Sequence, residues 1–177
     1  MASCRSTPPD ARSSAVPPGS ATASRLGPLD LDRPPPEGSR FATSPVWRAA
    51  LSGDALDLDR LARSEGAAGL AEALDLGGQP ARSALAAAGY AEDGELLAGR
   101  LCALAAATAP PARASVLRAV RAVWARPRGS VEHLDATAAK SCEGILQSLV
   151  AAPDLDAAER DLASSARAAL NDARISR

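Results

Sequence analysis

The side chains able to do chemistry in this chain are few and far apart. Its one histidine, His133, lies in the polar run Val131-Glu132-His133-Leu134. One imidazole cannot supply the usual histidine-rich zinc site. A serine or cysteine nucleophile would have to centre on this same residue, and no Gly-x-Ser-x-Gly elbow is present. A surface position in a connection is the simpler reading. Asp54, Asp57 and Asp59 cluster near a helix start but lack the central glycine and terminal glutamate of a calcium loop. Acidic residues there favour the positive end of the helix dipole, and Glu92-Asp93 has the same explanation. Gly77-Gly78 and the Gly66/Gly69 pair have neither the spacing nor the preceding strand of a phosphate loop. The expectation is a non-enzymatic protein with no catalytic centre, no cofactor and no metal site.

These residues must be positioned by helices. Roughly a quarter of the chain is alanine, the strongest helix former. Aromatic residues are 2 %, the reverse of strand composition. Ser44-Pro45 opens a helix with a capping hydroxyl and a proline at its first position, and Gly53 ends it. Asp54 caps a second helix carrying Leu58, Leu61 and Ala62, which Gly66 stops. A third covers Leu70 to Leu74, ended by Gly77-Gly78, and a fourth runs from near Pro80 to Gly89. A fifth spans about residues 92–108. Pro110-Pro111 opens the sixth, whose stripe is Val116, Leu117, Val120, Val123 and Trp124, and Pro127 and Gly129 end it. Asp135 caps the seventh, with Cys142, Ile145, Leu146, Leu149 and Val150 at core spacing. The eighth follows Pro153-Asp154, with Leu162, Ala166 and Leu170 on a narrow face.

Residues 1–40 have a different character. They hold more than half of the fourteen prolines, including Pro34-Pro35-Pro36. Such a composition cannot bury enough apolar surface to offset the entropy of ordering, so it reads as a disordered Ser/Pro/Ala-rich tether. The helical domain then covers 41–177. Met1-Ala2-Ser3-Cys4 resembles the end of a bacterial lipobox, and the tether resembles the segment that follows an acylated cysteine in lipoproteins. That resemblance implies translation from an upstream start, Cys4 as the lipid-bearing N-terminus, and a place at the cell envelope. The other reading is an ordinary cytosolic start. Cys102 and Cys142 lie on apolar helix faces. In a cytosolic protein they are buried thiols acting as small hydrophobes. In an exported one they can form a disulfide, provided their Cα atoms lie within about 7 Å.

Helix pairs can be read at about 67–89, 94–125 and 137–171, each with an arginine near the start of its second helix. Arg82-Ser83-Ala84-Leu85-Ala86-Ala87-Ala88-Gly89, followed by Glu92-Asp93, resembles the second-helix signature of short, Ala-rich bacterial HEAT repeats. The match covers about one repeat, with looser likeness over 55–171. The long second pair and the 127–136 connection depart from the pattern. The resemblance implies an all-α fold, a short α-solenoid of antiparallel helix pairs whose concave face binds other proteins, with no catalytic residues. An irregular helical bundle is the alternative.

With 20 basic and 21 acidic residues the net charge is −1, which leaves no electrostatic footprint for nucleic acid. Arg118, Arg121, Arg126 and Arg128 form the single basic concentration. They read either as a docking patch for an acidic partner or anionic head groups, or as a solvated helix end. Trp47 is a further candidate partner anchor. The expected function is a protein–protein interaction module with another protein as partner, and a membrane is involved only through a lipid anchor. The alternatives are a helical small-molecule carrier or sensor, and a cytosolic helical-repeat adaptor.

Overall fold

The helix punctuation in the sequence is reproduced closely in three dimensions. In the computed structural model, which describes residues 29–126 and 136–175, two short helices come first, α1 (Arg40–Thr43) and α2 (Pro45–Ala50). The apolar spacing does not announce α1. Its N-cap is Ser39, whose hydroxyl accepts the Ala42 amide. Next is α3 (Ala55–Leu76), capped by the Asp54 carboxylate, which accepts the Leu56 amide at 2.9 Å. The break expected at Gly66 is a kink: φ is 59° and ψ is −175°, a conformation open to glycine and strained for other residues. The kink frees the Ala67 amide, and Asp93 takes it at 2.9 Å from the loop before the fifth helix. The second half of α3 thus has a side-chain cap, an accepting carboxylate supplied from far along the chain.

The remaining elements are α4 (Gly78–Ala87), a 3-10 turn (Ala88–Tyr90), α5 (Glu95–Ala107), α6 (Ala112–Ala125), α7 (Ala136–Ala151) and α8 (Ala157–Ile175). The fold is all-α, with no strand among the described residues. The Pro127–Gly129 stop, the Asp135 cap and His133 lie outside the described residues. Consecutive helices pack as pairs: α3 with α4, α5 with α6, α7 with α8. Between pairs, α5 packs on α7 and α6 on α8, with smaller contacts of α4 on α6 and α3 on α5. Two layers follow from these contacts, one of α3, α5 and α7 and one of α4, α6 and α8.

The turns inside the second and third pairs are each closed by an arginine of the second helix that reaches back to carbonyls just past the end of the first. Arg113 Nε donates to Thr108 O at 2.7 Å, and Arg160 donates to Leu155 O at 2.9 Å and Ala152 O at 3.3 Å. The carbonyls that end a helix lack intrahelical donors, so a guanidinium there satisfies acceptors that burial would leave orphaned. In the first pair the same service comes from outside it: Arg33 donates to Leu76 O at 2.6 Å.

Leucine and alanine fill the space between the layers. Leu61, Leu70, Leu101, Leu117, Leu146 and Leu170 are wholly buried, interleaved with Ala73, Ala84, Ala98, Ala105, Ala163 and Ala166. Each leucine removed from water contributes about 1.5–3 kcal/mol, and the alanines let the helices approach closely. α6 is the hub, burying Val116, Leu117, Val120, Val123 and Trp124 as its stripe predicts. Its first turn carries a buried charge. Arg113 lies 3.7 Å from the carboxylate of Glu159 in α8 and 3.5 Å from the more exposed Asp154, and Glu159 is 3 % exposed.

Candidate interaction surface

The residues before α1 bear on what surface the domain presents. Composition places residues 29–40 in the tether, yet the described chain from Leu29 onward lies against the helices. Leu29 and Leu31 are half-buried against the core. The Gln79 amide donates to Arg33 O at 2.8 Å, and Asp32 pairs with Arg82 of α4. Gly78, at φ +67°, makes this approach feasible, because a Cβ there would collide with the Arg33 carbonyl. The strap at 29–33 therefore docks on the N-terminal end of α4. The signal for it was the alternation Leu29-Asp30-Leu31-Asp32, apolar against acidic, just before the prolines.

Beside the strap, a groove runs between α4 and α6. Its narrower part, about 280 Å³, has Leu31, Leu85, Ala86, Ala119 and Ala122 as apolar lining and Arg82, Ser115 and Arg118 as polar groups. A contiguous part of about 710 Å³ adds Leu29, Asp30, Asp32 and the α6 start at Pro111, Ala112 and Ala114. Arg82 is neutralised by Asp32, an ion pair in which both partners are largely exposed. Asp30 is engaged locally, accepting the Asp32 amide at 3.0 Å. Arg118 makes no ion pair or side-chain hydrogen bond among the described residues.

The structure separates the four candidate arginines. Arg118 and Arg121 are exposed on α6, and Arg118 faces the groove. Arg126 is half-buried and donates to Tyr90 O at 2.5 Å, so it ties the end of α6 to the 3-10 turn rather than meeting a partner. Arg128 lies outside the described residues, as does Cys4. Trp47 is corrected as a partner anchor: it is 2 % exposed, meets Phe41 edge-on at 4.8 Å, and donates its indole N–H to Glu65 at 2.9 Å. An indole with its apolar body and its one donor both satisfied inside has nothing left to offer a partner. Glu65 is held in turn by Arg40, which also bonds Glu72. Hydrogen bonding to Glu72, and then Glu65, raises the Arg40 guanidinium above its ordinary pKa.

Cys102 and Cys142 meet. The structure joins them as a disulfide between α5 and α7, with Cα atoms 5.3 Å apart and both residues fully buried. The acidic cluster is structural: Asp54 caps α3, Asp57 lies 3.5 Å from Arg60, and Asp59 bonds Arg63 at 2.8 Å. Bonding to Asp59 likewise raises the Arg63 pKa. Among the described residues no three His, Cys, Asp or Glu side chains converge as metal ligands, and no helix is long and apolar enough to cross a membrane. No protein-family model, curated protein or solved structure matches the chain.

Proposed function

We propose that this chain is a non-enzymatic protein–protein interaction module, a short solenoid of HEAT-like helix pairs. The observation that carries the reading is the open, apolar groove between the two successive second helices α4 and α6, with Arg118, unpaired among the described residues, at its side. The packing of each helix on its pair mate and on its layer neighbours supports the solenoid, because stacked units bury a continuous core through nearest-neighbour contacts. A preformed groove binds without the cost of ordering a loop. The same proposal places the module at the bacterial cell envelope, held through the Ser/Pro/Ala-rich segment and a lipid on Cys4. The disulfide favours this over the cytosolic adaptor, since disulfides persist in oxidising compartments. The small-molecule carrier would need an enclosed pocket, whereas Arg82, Ala86, Arg118 and Ala122 leave this groove open to solvent.

The test is a photo-crosslinking residue introduced at Ala122, with a second at exposed Asp161 on α8 as control, in cells that make the protein naturally. The expected result is a discrete adduct from Ala122 alone, identified by mass spectrometry and reproduced with the purified partner. Identical adduct patterns from both positions, or none from Ala122, would refute the groove as the interaction surface. Intact mass of the native protein tests the anchor: a species beginning at acylated Cys4 is expected in the membrane fraction, and a soluble species retaining Met1 or Ala2 overturns it.

A further inference from the structure

We infer that the α4–α6 groove recognises an extended peptide segment of another protein in which aliphatic residues alternate with acidic ones. This rests on the interaction reading and adds the chemistry of the partner. The argument comes from what already occupies the edge of the groove. The strap Leu29-Asp30-Leu31-Asp32 is itself such a segment: its leucines turn toward the helices and Asp32 pairs with Arg82. The surface thus accommodates this chemistry once, with Leu85 and Arg82 of α4 lining the groove beside Leu31 of the strap.

The groove continues past the strap along α6, and there the same elements recur without a mate. Ala119 and Ala122 extend the apolar floor, and Arg118 stands beside it in the role that Arg82 plays for Asp32. The narrower part of the groove is lined by no carboxylate and by two guanidiniums, of which Arg82 is already paired with Asp32, while Asp30 and Asp32 line the contiguous wider part with Arg118. An aliphatic side chain would cover the alanine floor while a neighbouring carboxylate reached Arg118. A bidentate arginine–carboxylate contact over a partly desolvated floor is stronger than one in open water. A basic segment would meet Arg118 with like charge, Arg82 being already paired with Asp32.

The experiment is selection of a displayed random-peptide library on the immobilised full chain, followed by anisotropy titration of the selected peptides. Titrations use the unaltered protein, Arg118→Glu, Arg118→Lys and Ala86→Trp, the last filling the groove from an exposed helix position. All variants are checked for unchanged helical circular dichroism. Selected peptides should be enriched in Leu, Ile or Val alternating with Asp or Glu. Their affinity should fall tenfold or more with Arg118→Glu, as expected for a charge-assisted hydrogen bond, less with Arg118→Lys, and be lost with Ala86→Trp. Peptides of neutral or basic composition that bind Arg118→Glu normally yet are blocked by Ala86→Trp would overturn the acidic specificity while leaving the groove as an interaction surface. Peptides indifferent to Ala86→Trp, or an empty selection, would overturn both readings.

Discussion

Opening the Cys102–Cys142 bond should cost this domain a large share of its stability. The crosslink joins residues 40 apart in sequence and encloses the whole of α6, the helix on which α4, α5 and α8 all pack. In the chain-entropy account, a loop of that length restricts the unfolded chain by about 13 cal/mol/K, or about 4 kcal/mol at 25 °C. For the roughly 140 described residues the entropy of unfolding is about 0.3 kcal/mol/K, so reduction should lower Tm by about 13 °C. Reduction is the cleaner perturbation, because it leaves both sulfurs in the core, whereas Cys102→Ala with Cys142→Ala also removes buried volume. The assay is thermal unfolding followed by circular dichroism with and without a phosphine reductant. It is paired with alkylation of the unfolded, unreduced chain and mapping of the modified cysteines. Alkylation of Cys102 or Cys142 without reductant, or a reduced protein that melts within about 2 °C of the untreated one, would refute the reasoning. A reduced chain that loses most of its helical signal at room temperature would instead mean that the crosslink exceeds the net stability of the uncrosslinked fold. Net stabilities of about 5–15 kcal/mol make that outcome uncommon.

Other consequences are testable by chemical denaturation. Leu117→Ala, at a wholly buried position on the hub helix, should destabilise by about 2–5 kcal/mol, while the same change at Leu56, which is 76 % exposed, should stay within about 0.5 kcal/mol. Gly66→Ala should cost about 1–3 kcal/mol because the φ of 59° penalises a side chain, and Asp93→Ala about 1 kcal/mol by uncapping the second half of α3. Equal stability of Gly66→Ala and the parent would mean that α3 is straight in solution. Glu159→Ala should destabilise by about 1–3 kcal/mol because it leaves the buried Arg113 with only the more exposed Asp154 as counter-charge, and the double change Arg113→Met, Glu159→Leu should recover part of that, less the Thr108 carbonyl's lost donor. A double variant no better than the single one would assign the cost to packing rather than to charge.

Much of the helical framework could be read along the chain because each boundary is enforced locally. Pro45, Asp54, Gly77-Gly78 and Pro153 act through their own backbone preferences or through capping within a few residues, and the structure starts or ends helices at or close to those positions. The Ser44 hydroxyl, expected to cap α2, makes no cap bond, and the proline at the first position sets that start. The stripe of α6 was equally legible, since a period of 3.6 residues places Val116, Val120 and Val123 on one face whatever that face meets. The pairing of helices followed from short connections. Composition misled at the strap. A proline-rich average hides four residues that alternate apolar and acidic, and averaging cannot see that Leu29 and Leu31 have a surface to meet.

The pentapeptide Leu-Asp-Leu-Asp-Arg occurs twice and separates what the sequence determines from what the tertiary structure decides. At 56–60 it forms the first turns of α3, and at 29–33 it is a non-helical strap. The difference in local conformation is written in the flanks: Asp54 caps the helical copy, while Pro34 disfavours helix at Arg33 in the other. The partners are not written there. Asp59 bonds Arg63 one turn away, but Asp32 bonds Arg82 and Arg33 reaches Leu76, contacts that exist only once α3 and α4 have folded against each other. The same holds for Trp47 and Glu65, for Ala67 and Asp93, and for the two cysteines. A helix face can be recognised from periodicity as due for burial, but its neighbour is chosen by which helices can close-pack without stranding a polar group. Only the assembled layers satisfy that condition, and the groove beside Arg118 is the space they leave open.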